Sequence, residues 1–152
     1  MSLSRRMLVA GAAGAMALAA PRQPAADELG EVRWQYRPLL VFTPDEADPR
    51  LSRQTTMLAE AVDGLEDRKL AVYIVELGRV FTTFGAPAPA AEASALRRRF
   101  RVPDDAFRVV LVGLDGGTKL TADEPLDMER LFATIDGMPM RRQELRRRAD
   151  PR

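Results

Sequence analysis

Four consecutive apolar residues, Leu39-Leu40-Val41-Phe42, stand between Pro38 and Pro44, and this run constrains the fold more than any other feature. It is too short for a helix, and being apolar at every position it has no face to offer to water. Such a run reads as a central strand buried on both faces, the kind found in α/β sheets covered by helices. Two later stretches, Leu70–Leu77 and Phe107–Leu114, are equally β-rich.

The residues between these runs supply the helices. Asp45, Glu46 and Asp48 lead into Pro49, an aspartate cap followed by proline at the first helical position. Leu51, Thr55, Leu58, Val62 and Leu65 then recur at helical spacing and predict one continuous helix ending near residues 64–67. Residues 78–91 lose the pattern and read as a loop, with Phe81 and Phe84 tucked against the core. Residues 92–100 read as a second helix, with Arg97, Arg98 and Arg99 in its last turn, where cations suit the negative helix end. Asp115-Gly116-Gly117 predicts a hairpin turn into a short return strand at 118–121, and Lys119 there is the kind of residue that guards a sheet edge. Asp127 caps a last amphipathic helix that Gly137 and Pro139 end.

Upstream, Arg5 and Arg6 precede 14 uncharged small and apolar residues, Met7–Ala20. That is the layout of a secretory leader, with Ala17-Leu18-Ala19 as its cleavage step. A spanning helix needs roughly 20 apolar residues, so no stable membrane anchor is expected. The twin-arginine pair lacks a following basic residue, and the general secretory route fits better. The chain divides into a leader at 1–19, a flexible lead at 20–32, a folded domain at 33–140 and a basic C-terminal extension at 141–152. The expected location is the periplasm or the outside of the cell.

The residue inventory excludes much chemistry. The chain holds no cysteine and no histidine, which rules out thiol exchange, a serine-histidine triad and the commonest transition-metal ligands. Balanced charge, 23 basic against 22 acidic residues, gives no global field for nucleic acid. Neither a cofactor nor a metal is expected. Six arginines crowd residues 140–152 and read as a solvated helical extension, with docking onto an acidic partner or an anionic surface as the other reading.

The order of elements, β-α-β, helix, β-hairpin, helix, is that of a thioredoxin-like domain: a three-layer α/β/α sandwich around a mixed sheet. Residues 37–42, Asp48-Pro49-Arg50, the exit from the helix at Leu96–Val102, Val110–Gly113, Asp115-Gly116-Gly117 with Lys119, and Met138–Arg141 together resemble a bacterial exported family of unknown function. That family has a thioredoxin-like, peroxiredoxin-related fold and is akin to a domain of animal extracellular sushi-repeat proteins. The resemblance implies a fold and no reaction. In that fold the redox pair sits where the first core strand gives way to a helix, whose N-terminus stabilises a thiolate. Here that junction reads Thr43 to Arg50, without a thiol and with acids where a thiolate needs positive charge. A cis-proline, expected near Arg108, is also missing from the sequence there.

Two functions therefore stand open. One is a redox-inactive binding or adaptor domain of the cell envelope, facing a protein or peptide partner through Asp45, Asp48, Arg50 and Phe107. The other is an enzyme that uses carboxylate and arginine groups, such as a hydrolase with paired acids.

Overall fold

The computed structural model describes residues 27–150; the expected leader and residues 20–26 of the expected lead lie outside them. Strand β1 spans Arg37–Phe42, and all six of its residues are buried. Its neighbours in the chain are α1 (Pro49–Ala59), α2 (Val62–Asp67), β2 (Leu70–Val75) and β3 (Val80–Phe84). After them come α3 (Ala93–Phe100), β4 (Arg108–Val112), β5 (Thr118–Ala122), α4 (Met128–Asp136) and α5 (Pro139–Ala149). The five strands lie in the order β3-β2-β1-β4-β5. β1 runs parallel to β2 and antiparallel to β4, and both edge pairings are antiparallel. The fold is the expected mixed α/β sandwich.

Strand alternation explains why the central runs are apolar throughout. Leu39 and Val41 point into one core, shared with Leu51 and Leu58 of α1, Leu65 of α2, and Leu131 and Ile135 of α4. Leu40 and Phe42 point into the other, shared with Ala93 and Leu96 of α3. With a helical layer on each face, no position of β1 from Leu39 to Phe42 is left for a polar side chain.

Four local expectations change. The helix predicted through residue 65 breaks at Glu60 and Ala61 into α1 and α2. The break leaves Val62 at 41% exposure, buries Leu65, and brings Gly64 against α4, where a Cβ would stand 2.6 Å from a ring carbon of Phe132. Residues 80–84 form an edge strand instead of a loop. Every residue of VFTTF is either β-branched or aromatic, and Phe81 and Phe84 pack on the first core. Gly85 closes that strand at φ +85, with its Cα so near the carbonyl of Leu70 that a Cβ would lie 2.5 Å from it. Within the expected flexible lead, residues 27–32 run in turns, and Leu29 and Val32 are buried in the second core.

The fourth change concerns the expected solvated extension. α5 is helical, but Arg141 is 1% exposed. Its guanidinium donates to the carboxylate of Asp67, to Asp136 Oδ1 at 3.2 Å, to Glu144 Oε2 at 3.3 Å and to the carbonyl of Asp67 at 2.8 Å. Arg37, equally buried, donates to Glu144 Oε1 at 3.1 Å and to the carbonyl of Arg68 at 2.8 Å. Arg68 pairs with Asp136 at 2.8 Å and lies over the ring of Phe132, while Arg148 pairs with Asp67. These links fasten α5 to the start of β1, the end of α2 and the end of α4. A buried charge is tolerable only when paired and hydrogen-bonded, and here the fold supplies the pairing.

Candidate functional site

The corner after β1 is built by short-range polar contacts. Thr43 is fully buried; its N–H donates to the carbonyl of Val75 at 3.1 Å, and its hydroxyl donates to the carbonyl of Asp45 at 2.7 Å. Asp45 Oδ1 accepts from the N–H of Ala47 at 2.8 Å. These contacts turn the chain so that Asp48, at φ −61 and ψ 120, becomes the N-cap of α1. Pro49 then occupies the first turn, where its lack of an N–H costs nothing.

Asp48 is the best-held group of the corner. It is 8% exposed, caps the N–H of Arg50 at 2.9 Å, and receives the Arg50 side chain in a fork, from Nε at 3.0 Å and Nη2 at 2.7 Å. That fork holds the carboxyl below its ordinary pKa against the opposing effect of burial, and Asp48 in turn raises that of Arg50. The guanidinium also lies 5.1 Å above the ring of Phe107, a buried residue just ahead of β4. Three of the four residues singled out in the sequence, Asp48, Arg50 and Phe107, therefore form one stack. Asp45 stands apart from it, exposed, with its side chain given to the turn.

Arg97 belongs to the same corner, although its place in a run of arginines predicts only a helix-end cation. It is 4% exposed and meets no carboxylate among the described residues. Its Nη2 donates to the carbonyl of Thr43 at 2.7 Å and to that of Val75 at 3.3 Å, and its Nη1 to that of Pro103 at 2.8 Å. The guanidinium faces the ring of Phe42 at 5.7 Å, and burial lowers its pKa. It thus ties the ends of β1 and β2 to the connection into β4. A signal was present: Ala93, Leu96, Arg97 and Phe100 recur at helical spacing on one face, and that face points inward.

Chemically the corner offers a fixed ion pair on an aromatic floor. Both oxygens of Asp48 are engaged, which leaves it poorly suited to take a proton from a substrate. No group of three or more acids converges as a metal-ligating cluster among the described residues. The Asp48 carboxylate lies at the positive end of α1, where the helix dipole favours negative charge.

A parallel β1–β2 pair in a five-stranded sheet whose other pairings are antiparallel, with helices on both faces, defines a thioredoxin-like domain. The chain belongs to the family described as Domain of unknown function (DUF4174), matched over residues 28–144. Solved structures agree on the fold. The reduced 2-Cys peroxiredoxin of Plasmodium vivax matches with a TM-score of 0.57 at 12% identity, over 77% of this chain and 84% of that one. Thioredoxin peroxidase I of Plasmodium yoelii matches with a TM-score of 0.55 at 12% identity, over 76% and 79%. At such identity the likeness is one of architecture.

Proposed function

We propose that this protein is a redox-inactive thioredoxin-like binding domain that works in the cell envelope, after loss of a leader at residues 1–19, and contacts a protein or peptide partner through the accessible face of the corner, Asp45 and Arg50, which the buried Asp48 and Phe107 hold in place. The observation that carries this reading is the Asp48–Arg50 fork at the start of α1. It occupies the place where the fold does its chemistry, yet it offers a rigid polar surface and no reactive atom. A prealigned ion pair beside an exposed turn costs little entropy to engage, which favours recognition over turnover. Export is supported by Arg5, Arg6 and the apolar stretch that follows them.

The test is to express the full chain, sequence the N-terminus of the mature protein, and compare partners captured from the envelope fraction by wild type and by the Asp48→Ala and Arg50→Ala variants. The reading requires processing near Ala19 and loss of a specific partner in both variants. Identical partners in all three cases would remove the corner as the contact surface. Reduction of insulin by the purified protein would end the inert reading altogether.

A further inference from the structure

The charges of α5 are divided between two sides. Arg141 and Arg148 reach back to Asp67, and Glu144 takes up Arg141 and Arg37. Asp136 is shared by Arg68 and Arg141. The three carboxylates of this end are therefore committed to arginines that fasten the helix. Arg142, Arg146 and Arg147 are exposed, and none of them forms an ion pair among the described residues.

Helix-end electrostatics account for only part of this. Arg146 and Arg147 lie in or next to the last turn of α5, where the dipole favours cations. Arg142 lies near the start of the helix, where the dipole disfavours one. It also stands one turn from Arg146 on the same flank, a spacing at which like charges repel. Lys69, likewise exposed, adds a fourth cation beside this helix, next in the chain to Arg68. In a chain of 23 basic and 22 acidic residues, such a surplus is a local field and not a net charge.

Exposed apolar side chains gather at the same end. Among the described residues five large apolar side chains are exposed, and three of them stand here: Trp34 at 60%, Leu145 at 40% and Met140 at 37%. Met140 and Leu145 belong to α5 itself. Trp34 lies three residues, hence at most about 11 Å, before Arg37, whose guanidinium contacts Glu144 of α5. Its backbone sits in the left-handed region at φ 67, and its N–H donates to the carbonyl of Leu114 at 2.8 Å. Leu114 and Met140 in turn line one cleft. A bulky residue in that region is strained and persists only where its surroundings fix it. The fold accepts this strain and leaves an indole in water.

We infer that this end of the molecule docks reversibly on an anionic lipid bilayer, with Arg142, Arg146 and Arg147 on the headgroup phosphates and Trp34, Met140 and Leu145 at the boundary with the acyl chains. Guanidinium groups suit phosphate, and tryptophan favours the membrane–water interface. An acidic polypeptide would account for the arginines and leave the exposed indole, Met140 and Leu145 without a role. No helix among the described residues is long and apolar enough to cross a membrane, so the contact is peripheral. It goes beyond the proposed binding corner, which lies past the opposite end of β1 and stays free.

Trp34 is the only tryptophan in the chain, so its emission reports on this end and receives nothing from residues 1–19. The full chain is titrated with vesicles of phosphatidylcholine alone and of equal parts phosphatidylcholine and phosphatidylglycerol. At about fivefold in affinity for each cation, four cations place half-binding to the anionic vesicles near about 1 mM lipid. A blue shift of Trp34 is expected there, absent with phosphatidylcholine and lost when salt is raised from about 0.1 M to about 1 M. The triple variant Arg142→Glu, Arg146→Glu, Arg147→Glu should keep the wild-type melting temperature and lose at least about 100-fold in affinity. Reversal of three other exposed arginines, Arg53→Glu, Arg98→Glu, Arg130→Glu, makes the same change in net charge and should keep affinity within about threefold. The lipid and salt comparisons, made on the wild type, decide the matter should the first variant not fold. Equal shifts with both vesicle types, or equal losses in the two triple variants, overturn the proposal. A shift of Trp34 with polyglutamate and none with anionic vesicles overturns it in favour of an acidic polypeptide.

Discussion

Arg97 and Arg141 are both buried, but they are neutralised by opposite means. Arg141 meets Asp67, Asp136 and Glu144, and although burial works against its charge these carboxylates raise its pKa above the ordinary value. Arg97 donates to the carbonyls of Thr43, Val75 and Pro103 and to no carboxylate among the described residues, and burial lowers its pKa against a smaller opposing effect of Asp104. The first arrangement depends on ionisation of its partners, so acid and salt can loosen it. The second depends on dipoles, which do not titrate. The α5 end is thus held by several carboxylates that acid and salt can loosen, whereas at the corner the Arg97 ties to carbonyls do not titrate and the Asp48–Arg50 pair alone shares that sensitivity.

The largest effect that would test this contrast comes from Glu144→Ala. It leaves Arg37 and Arg141 buried and short of a partner, and a loss of about 3–5 kcal/mol is expected in chemical denaturation. A loss under about 1 kcal/mol would mean that α5 contributes little to the fold.

Acid should act in the same direction, more gently. Asp67 is held below its ordinary pKa chiefly by Arg148, and Asp136 chiefly by Arg68. For Glu144, burial pushes upward, and the hydrogen bonds of Arg37 and Arg141 outweigh it. A carboxylate depressed in the folded state stabilises above its unfolded pKa, and that stability is lost as pH falls through the folded value. Stability should therefore hold from neutrality to about pH 5 and decline below about pH 4. In hydrogen exchange α5 should open before the β1–β2 core.

Arg97→Met should cost about 2 kcal/mol by taking the donor from the buried Thr43 carbonyl, while the carbonyls of Val75 and Pro103 keep the N–H groups of Thr43 and Ala106. Unlike the Glu144 variant, it should retain the wild-type profile of stability against pH. A changed profile would show that the two ends are coupled. Asp48→Ala removes a cap and an ion pair that is partly exposed on the Arg50 side, and about 1 kcal/mol is expected. Asp45→Ala should change stability by under about 0.5 kcal/mol, since the residue is exposed and serves only its own turn.

The corner is partly legible in the sequence. Asp48-Pro49 announces a helix start whatever surrounds it, because the cap is satisfied within two residues. Arg50 above Phe107 was less accessible, since those residues are 57 positions apart in the chain. Arg141 misled for a related reason. In a run of arginines each looks solvated, and the partner that buries this one, Asp67, lies 74 residues away. Residues 80–84 misled because Gly78 and Gly85 obscured a short edge strand whose hydrogen bonds all go to β2.

Sequence alone determined what depends on neighbours and on inventory: the strand runs, the helix caps, the hairpin turn, and the exclusion of thiol and imidazole chemistry. Tertiary structure decided which charges are buried, where the helix after β1 breaks, and which residues meet at either end of that strand. The division follows from physics. Periodicity and capping act over a few residues, whereas the burial of a charge is settled only when distant segments arrive with the groups that make it tolerable.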